Sequence, residues 1–282
     1  MENFEVKQFW HFAAVSADRL AQFLKIKMKE EKADAKADAK GTGRKSKSVR
    51  LAELWQLVKE RERKNSLVVQ QLSLGQCCVP AEDNRGFTID AIGTSPAQAS
   101  KFENRIRHSF DSELKFNPKL NHRDPNLCSC GMLIQYGATR ILLGGDIERE
   151  GWKDLVTQRP YLATGLNLVK VAHHGSPNGY CDGLWELHQK NVDITYKVLT
   201  PYKRFDLPKK STIEHLERHG GFLYSAGDPY FDREFVPNYV TSMKILREKR
   251  DVPNHPSRVS FTFDDAGNST GIELDHEAIQ IC

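Results

Sequence analysis

The sequence predicts an α/β protein, and three observations carry that expectation. Short runs rich in Val, Ile and Leu, each closed by glycine or a polar residue, recur from Leu67 onward; runs of this kind read as strands. Stretches with apolar residues three to four positions apart alternate with them and read as helices, so strands and helices interleave as α/β layers do. Two of the strand-like runs end on chemistry-bearing groups, Asp146 in one and His173-His174 in the other. Open α/β sheets place their ligand sites at such strand ends.

Taken in order, residues 18–28 carry Leu20, Phe23, Leu24 and Met28 at helical spacing. Residues 33–40 repeat Ala-Asp-Ala-Lys and run on through Gly41-Thr42-Gly43-Arg44-Lys45-Ser46-Lys47-Ser48. Lacking large apolar side chains, this segment cannot anchor itself to a core and reads as an exposed tether. Residues 49–63 form a second amphipathic helix on Leu51, Leu54, Trp55 and Val58. Leu67-Val68-Val69 and residues 87–92 are strands, and residues 95–125 are polar and irregular, with a helix expected around 99–110. Residues 132–136 and 140–143 read as two strands about a tight turn, followed by a helix over 148–157. Then come a strand over 166–172, a helix over 183–190 and a strand over 196–200. A helix over 211–219 with Ser211 as N-cap follows, then short strands at 222–224 and 259–263.

Composition bounds the function. The 282 residues are 39% hydrophobic and 28% charged, an ordinary globular balance rather than a disordered one. No apolar run approaches the roughly 18 residues that a membrane span needs, so a membrane-embedded protein is not expected. Met1-Glu2-Asn3-Phe4-Glu5 lacks the basic-then-apolar pattern of an export signal. Six cysteines in a chain of this length do not read as a disulfide framework, and a cytoplasmic location is expected. The formal charge of +4 resides in residues 29–50, with eight basic and four acidic side chains, while the remainder sums to zero. A basic segment on a neutral body can contact nucleic acid, although such runs are more often solvated linkers.

Two constellations could carry chemistry. In Ile141-Leu142-Leu143-Gly144-Gly145-Asp146-Ile147-Glu148 an apolar strand delivers a carboxylate where glycines let backbone or ligand approach closely. A lone Asp in that position is commonly the N-cap of the next helix. In Leu168-Val169-Lys170-Val171-Ala172-His173-His174-Gly175-Ser176 a second apolar strand ends on two imidazoles. Carboxylate and imidazole together make a normal mixed shell for zinc or manganese. Adjacent histidines alternate sides on an extended chain, so one would face a given site and the other would orient a ligand or touch substrate. Elsewhere, His215 and His219 share a helix face but do not form His-Glu-x-x-His, and they read as complements to a helix dipole. Cys77-Cys78 and Cys128-x-Cys130 lack zinc-ribbon spacing.

Together these residues resemble the metallo-β-lactamase fold superfamily, in particular the branch like the hydrolase domain of ComEC-type DNA-uptake proteins. The likeness runs from Asn126-Leu127-Cys128-Ser129 through Met132-Leu133-Ile134-Gln135-Tyr136-Gly137, the Gly-Gly-Asp146 run and His173-His174-Gly175-Ser176. It continues to Leu199-Thr200-Pro201-Tyr202 and Leu207-Pro208, and it covers about half the chain. The resemblance implies an αββα sandwich in which two metals, Zn²⁺ or Mn²⁺, sit between sheet edges and serve hydrolysis of a phosphodiester or ester. By that likeness Asp146 would bridge the metals and be catalytic, and one of His173 and His174 would bind a metal. His174 is favoured there, and the sequence leaves the choice open. Asn126 and Ser129 would meet substrate or metal-bound groups, although Asn and Ser before a strand are as readily turn formers.

The superfamily's early His-x-His-x-Asp-His motif has no counterpart, because the only early histidine is His11 and the next is His108. The resemblance therefore covers mainly the C-terminal half of the sandwich. It divides the chain into a remnant of the N-terminal half (residues 1–28), a basic low-complexity insertion (29–50) and the metallo-β-lactamase-like domain (51–282). Expected partners are a phosphodiester or other small substrate, nucleic acid among the options, and a chain supplying the missing half. The alternative to an enzyme is a non-catalytic fragment or subunit that needs such a partner.

Overall fold

A computed structural model of the chain describes residues 8–12, 47–79, 86–108, 125–189, 195–227, 257–275 and 278–281. The helix expected at 18–28 and nearly all of the tether lie outside them. The protein is a mixed α/β chain with one large mixed sheet and several helices. It divides into two compact units, Met1–Ser73 with Pro96–Cys128, and Leu74–Ser95 with Ser129–Cys282.

The first unit pairs β1 (Gln8–Phe12) in parallel with β2 (Val68–Leu72). It also holds α1 (Lys47–Arg63) and α2 (Pro96–His108). On α1 the periodicity works for Trp55 and Val58, both buried. The Trp55 ring meets Phe9 edge-on at 5.9 Å and His11 at 5.3 Å. Leu54, counted with the core positions from spacing, is instead 46% exposed. It precedes Trp55 by one residue, about 100° around the helix, and the wide apolar stripe has room inward for only one of the two.

The second unit is built on an eight-stranded sheet. Its strands are β3 (Cys77–Val79), β4 (Phe87–Gly93), β5 (Cys130–Tyr136), β6 (Thr139–Leu143), β7 (Leu168–Lys170), β8 (Tyr196–Leu199), β9 (Phe222–Ser225) and, beyond a separate hairpin of β10 (Arg258–Phe263) and β11 (Ser269–Asp275), β12 (Ile279–Gln280). Their spatial order is β12-β9-β8-β7-β6-β5-β4-β3. From β3 to β6 neighbours are antiparallel, and from β6 to β9 they are parallel. The change follows from the connections. A two-residue turn at Gly137-Ala138 reverses the chain, whereas α3 (Arg149–Gln158), α4 (Asp182–Gln189) and α5 (Lys210–Arg218) carry it across to the next parallel strand.

Register assembles the core. Leu133, Leu142, Val169, Lys197 and Leu223 face one another across five strands. The four apolar members pack with Trp152 and Leu155 of α3, Leu184 and Trp185 of α4, and Ile213 and Leu216 of α5. Lys197 in the same row is fully buried, and its ammonium donates to the carbonyls of Leu216 (2.6 Å) and Gly220 at the end of α5. Lys197 thus answers the C-terminal end of that helix, where the sequence pointed to His215 and His219. His219 stands at the C-cap with Nε2 2.7 Å from the Tyr180 hydroxyl. Burial and then Lys197 hold its pKa below the ordinary histidine value, which favours the neutral ring over the dipole-complementing cation.

On the opposite face a hairpin of β10 (Arg258–Phe263) and β11 (Ser269–Asp275) sets Phe261 and Phe263 against Tyr196 at 5.4 and 6.1 Å. Toward β5 and β6 that face carries Met132, Ile134 and Ile141, half-buried, and Leu143, exposed. Several boundaries shift from expectation, and two of the shifts have a visible cause. The strand expected over 166–172 pairs only at Leu168–Lys170, because the chain leaves the sheet for a 3-10 turn at Ala172–Gly175. Helix α5 starts at Lys210, with Lys209 rather than Ser211 at the N-cap. The Lys209 N–H, tied to the Gly175 carbonyl at 3.3 Å, keeps that residue extended and starts the helix earlier.

Candidate functional site

Asp146 and His174 are brought together by two loops stitched along their backbones. The Gly144 N–H donates to the Lys170 carbonyl at 3.1 Å, and the His173 N–H donates to the Gly145 carbonyl at 2.8 Å. The approach leaves no room for side chains. A Cβ at Gly144 would lie 2.9 Å from the Ala172 Cβ, and one at Gly145, whose φ is 54°, would strike the Cys130 carbonyl oxygen. The glycines that end β6 are therefore what allows Asp146 to reach the end of β7.

The histidines do not sit on an extended chain. His173 (φ 47°, ψ 41°) and His174 (φ 55°, ψ 24°) are both left-handed, and Gly175 follows at φ 74°. Two consecutive non-glycine residues in that region each carry a cost of about 1 kcal/mol or more, a type of strain concentrated at functional sites. The expectation of alternating sides is corrected accordingly. From this turn His174 reaches toward Asp146, Nε2 to Oδ1 3.8 Å, while His173 reaches toward Glu148, Nδ1 to Oε1 3.7 Å.

The tautomer of His174 follows from its other nitrogen. Nδ1 lies 2.7 Å from the Thr200 carbonyl oxygen. A carbonyl only accepts, so Nδ1 carries a proton, and in the neutral form of the ring the lone pair is at Nε2. That lone pair faces a carboxylate oxygen at 3.8 Å, too far for a hydrogen bond and close to the separation of two ligands on one cation. The Tyr202 ring stacks on the imidazole at 5.0 Å and 28°, fixing its plane. The side chains of His174 and Asp146 remain 29% and 44% accessible, so the pair opens to solvent. Lys170 borders it. Burial pushes that ammonium below the ordinary lysine range while the Asp146 charge pulls it back up.

The chain matches no protein-family model and no curated protein.

The remaining candidates fall in different places. Ser129 immediately precedes β5 in the second unit, whereas Asn126 lies in a 3-10 turn, Pro125–Cys128, of the first. Among the described residues no three His, Cys, Asp or Glu side chains converge as a metal-holding group. Burial pushes the Cys78 and Cys130 thiols up to about 11, so both are protonated at neutral pH in the metal-free chain. Four neighbours of the pair escaped sequence reasoning: Glu148, Lys170, Thr200 and Tyr202. Glu148 had a signal, as a second carboxylate two residues beyond Asp146. Thr200 and Tyr202 lay in the stretch that carries the resemblance, but no role followed from it, because their contacts depend on β8 lying beside β7.

Proposed function

We propose that the chain is the C-terminal part of a metallo-β-lactamase-type hydrolase and that Asp146 and His174 hold a divalent cation used on a phosphodiester. The single observation that carries this reading is the lone pair of His174 Nε2 facing Asp146 Oδ1 across 3.8 Å, with Thr200 fixing the tautomer. The pair fits two positions on one cation and falls short of the two-metal set that the resemblance implies. A bound Zn²⁺ or Mn²⁺ would supply Lewis-acid polarisation and an activated water. The residues themselves do the rest: Thr200 and Tyr202 orient the imidazole, and the glycine turn aims the carboxylate. Glu148 and His173 form a second carboxylate–imidazole pair beside the first. Helices on one face of a large mixed sheet are also what one half of an αββα sandwich requires.

Weak phosphodiesterase activity on a chromogenic diester with Zn²⁺ or Mn²⁺, abolished in Asp146→Ala, is the expected result. Activity that survives that substitution unchanged contradicts the assignment. A second reading is favoured by the half-open apolar face of Met132, Ile134, Ile141 and Leu143. In that reading the chain is a non-catalytic subunit whose partner supplies the missing layer.

A further inference from the structure

We propose that the loop at residues 200–210 is a platform for single-stranded nucleic acid, with Tyr202 and Phe205 stacking on unpaired bases and Arg204 and Lys209 meeting phosphates. The proposal rests on the phosphodiesterase reading for its substrate class. Its own observation is a ladder of rings leading outward from the candidate site. The His174 ring stacks on Tyr202, and Tyr202 meets Phe205 at 5.5 Å. The ladder emerges at the surface, where Tyr202 is 37% and Phe205 57% exposed. The Arg204 guanidinium lies 5.5 Å from the Phe205 ring centre, and the Lys209 side chain is exposed.

The rings are held out by a frame. Tyr202 and Leu207 exchange backbone hydrogen bonds at 2.9 and 3.2 Å, and the Phe205 N–H donates to the Tyr202 carbonyl at 3.2 Å. Buried Leu207 anchors the far side, and the Lys209 N–H returns to the Gly175 carbonyl at 3.3 Å. The loop is thus braced against the histidine turn, with the Tyr202 and Phe205 rings partly exposed. Residues 200–210 contain four basic side chains and one acidic, Asp206. Ring faces beside cations suit a ligand that alternates flat bases with phosphates, whereas a duplex conceals its base faces. A strand lying along the ladder would lead toward Asp146 and His174.

The test measures fluorescence anisotropy of the full chain in EDTA with a labelled oligothymidylate, an oligouridylate of equal length and a blunt duplex. Single strands are expected to bind more tightly than duplex, with an affinity that falls as salt rises. Phe205→Ala and Arg204→Ala should each weaken binding by about tenfold, with unchanged circular dichroism. Equal affinity for the two single strands supports recognition of their shared chemistry, and a preference between them supports it while naming the source. Unaltered binding in both variants, absence of single-strand binding, or loss only in an Arg44→Gln, Lys45→Gln, Lys47→Gln variant overturns the platform. The two proposals fail separately. Phe205-dependent binding without Zn²⁺ binding defeats the hydrolase reading alone, and Zn²⁺ binding with Phe205-independent oligonucleotide affinity defeats the platform alone.

Discussion

Gly145 turns with a left-handed backbone against the Cys130 carbonyl, and a single methyl group there has nowhere to go. Gly145→Ala should lower unfolding stability by about 2 kcal/mol or more, read from urea denaturation, and should displace Asp146 from His174. Neutral stability would mean that the loop adjusts freely. His219 gives a second residue-level test. Its pKa is depressed in the folded chain by burial, then by Lys197, with a smaller push from His215 and opposing pulls from Asp182 and Glu186. The neutral ring is therefore the form that the fold favours. Its contribution is fully present above the unfolded value of about 6.5 and is lost as pH falls through the lower folded value. Melting temperature should drop more steeply for wild type than for His219→Gln between neutral and mildly acid pH; parallel curves would contradict this. Asp146 and the histidine pair were legible in the sequence because apolar runs announce where strands end. The left-handed turn and the His174 tautomer were not. The tautomer is decided by the Thr200 carbonyl, on a different strand.

Helix α5 illustrates the same division among elements. Its apolar spacing predicts a helix, and Ile213 and Leu216 are buried as that spacing requires. The group that finishes it, however, is a buried lysine from β8. Lys197→Met keeps the aliphatic bulk but removes the ammonium that the Leu216 and Gly220 carbonyls share, leaving Leu216 the His219 N–H as donor. A loss of about 1–3 kcal/mol is expected, together with faster hydrogen exchange at the end of α5. Unchanged exchange there would show that the ammonium is not the cap. Strands β5 to β8 were readable from their Leu, Ile and Val, and β9 from Phe222-Leu223-Tyr224. Strands β3, β11 and β12 were not. β3 and β12 are too short to show alternation, and Ser269-Thr270-Gly271-Ile272-Glu273-Leu274-Asp275 reads as a polar segment until β10 pairs with it.

For the whole molecule, the α/β class was foreseeable from the alternation of elements, whereas the division into two units was not. β1 pairs with β2 across an intervening sequence of more than fifty residues, and local patterning carries no record of such a pairing. The half-open apolar face separates the two functional readings. A chain that purifies as a stable, soluble monomer with little affinity for apolar dyes contradicts a missing partner layer, and self-association or strong dye binding supports it. The hydrolase reading rests on a more basic premise, that one carboxylate and one imidazole grip a cation. Isothermal titration with Zn²⁺ on wild type, Asp146→Asn and His174→Gln tests it most directly. Wild type should bind, and each substitution should weaken binding by about tenfold or more with the fold intact by circular dichroism. Equal binding by all three proteins, or none by wild type, would contradict it.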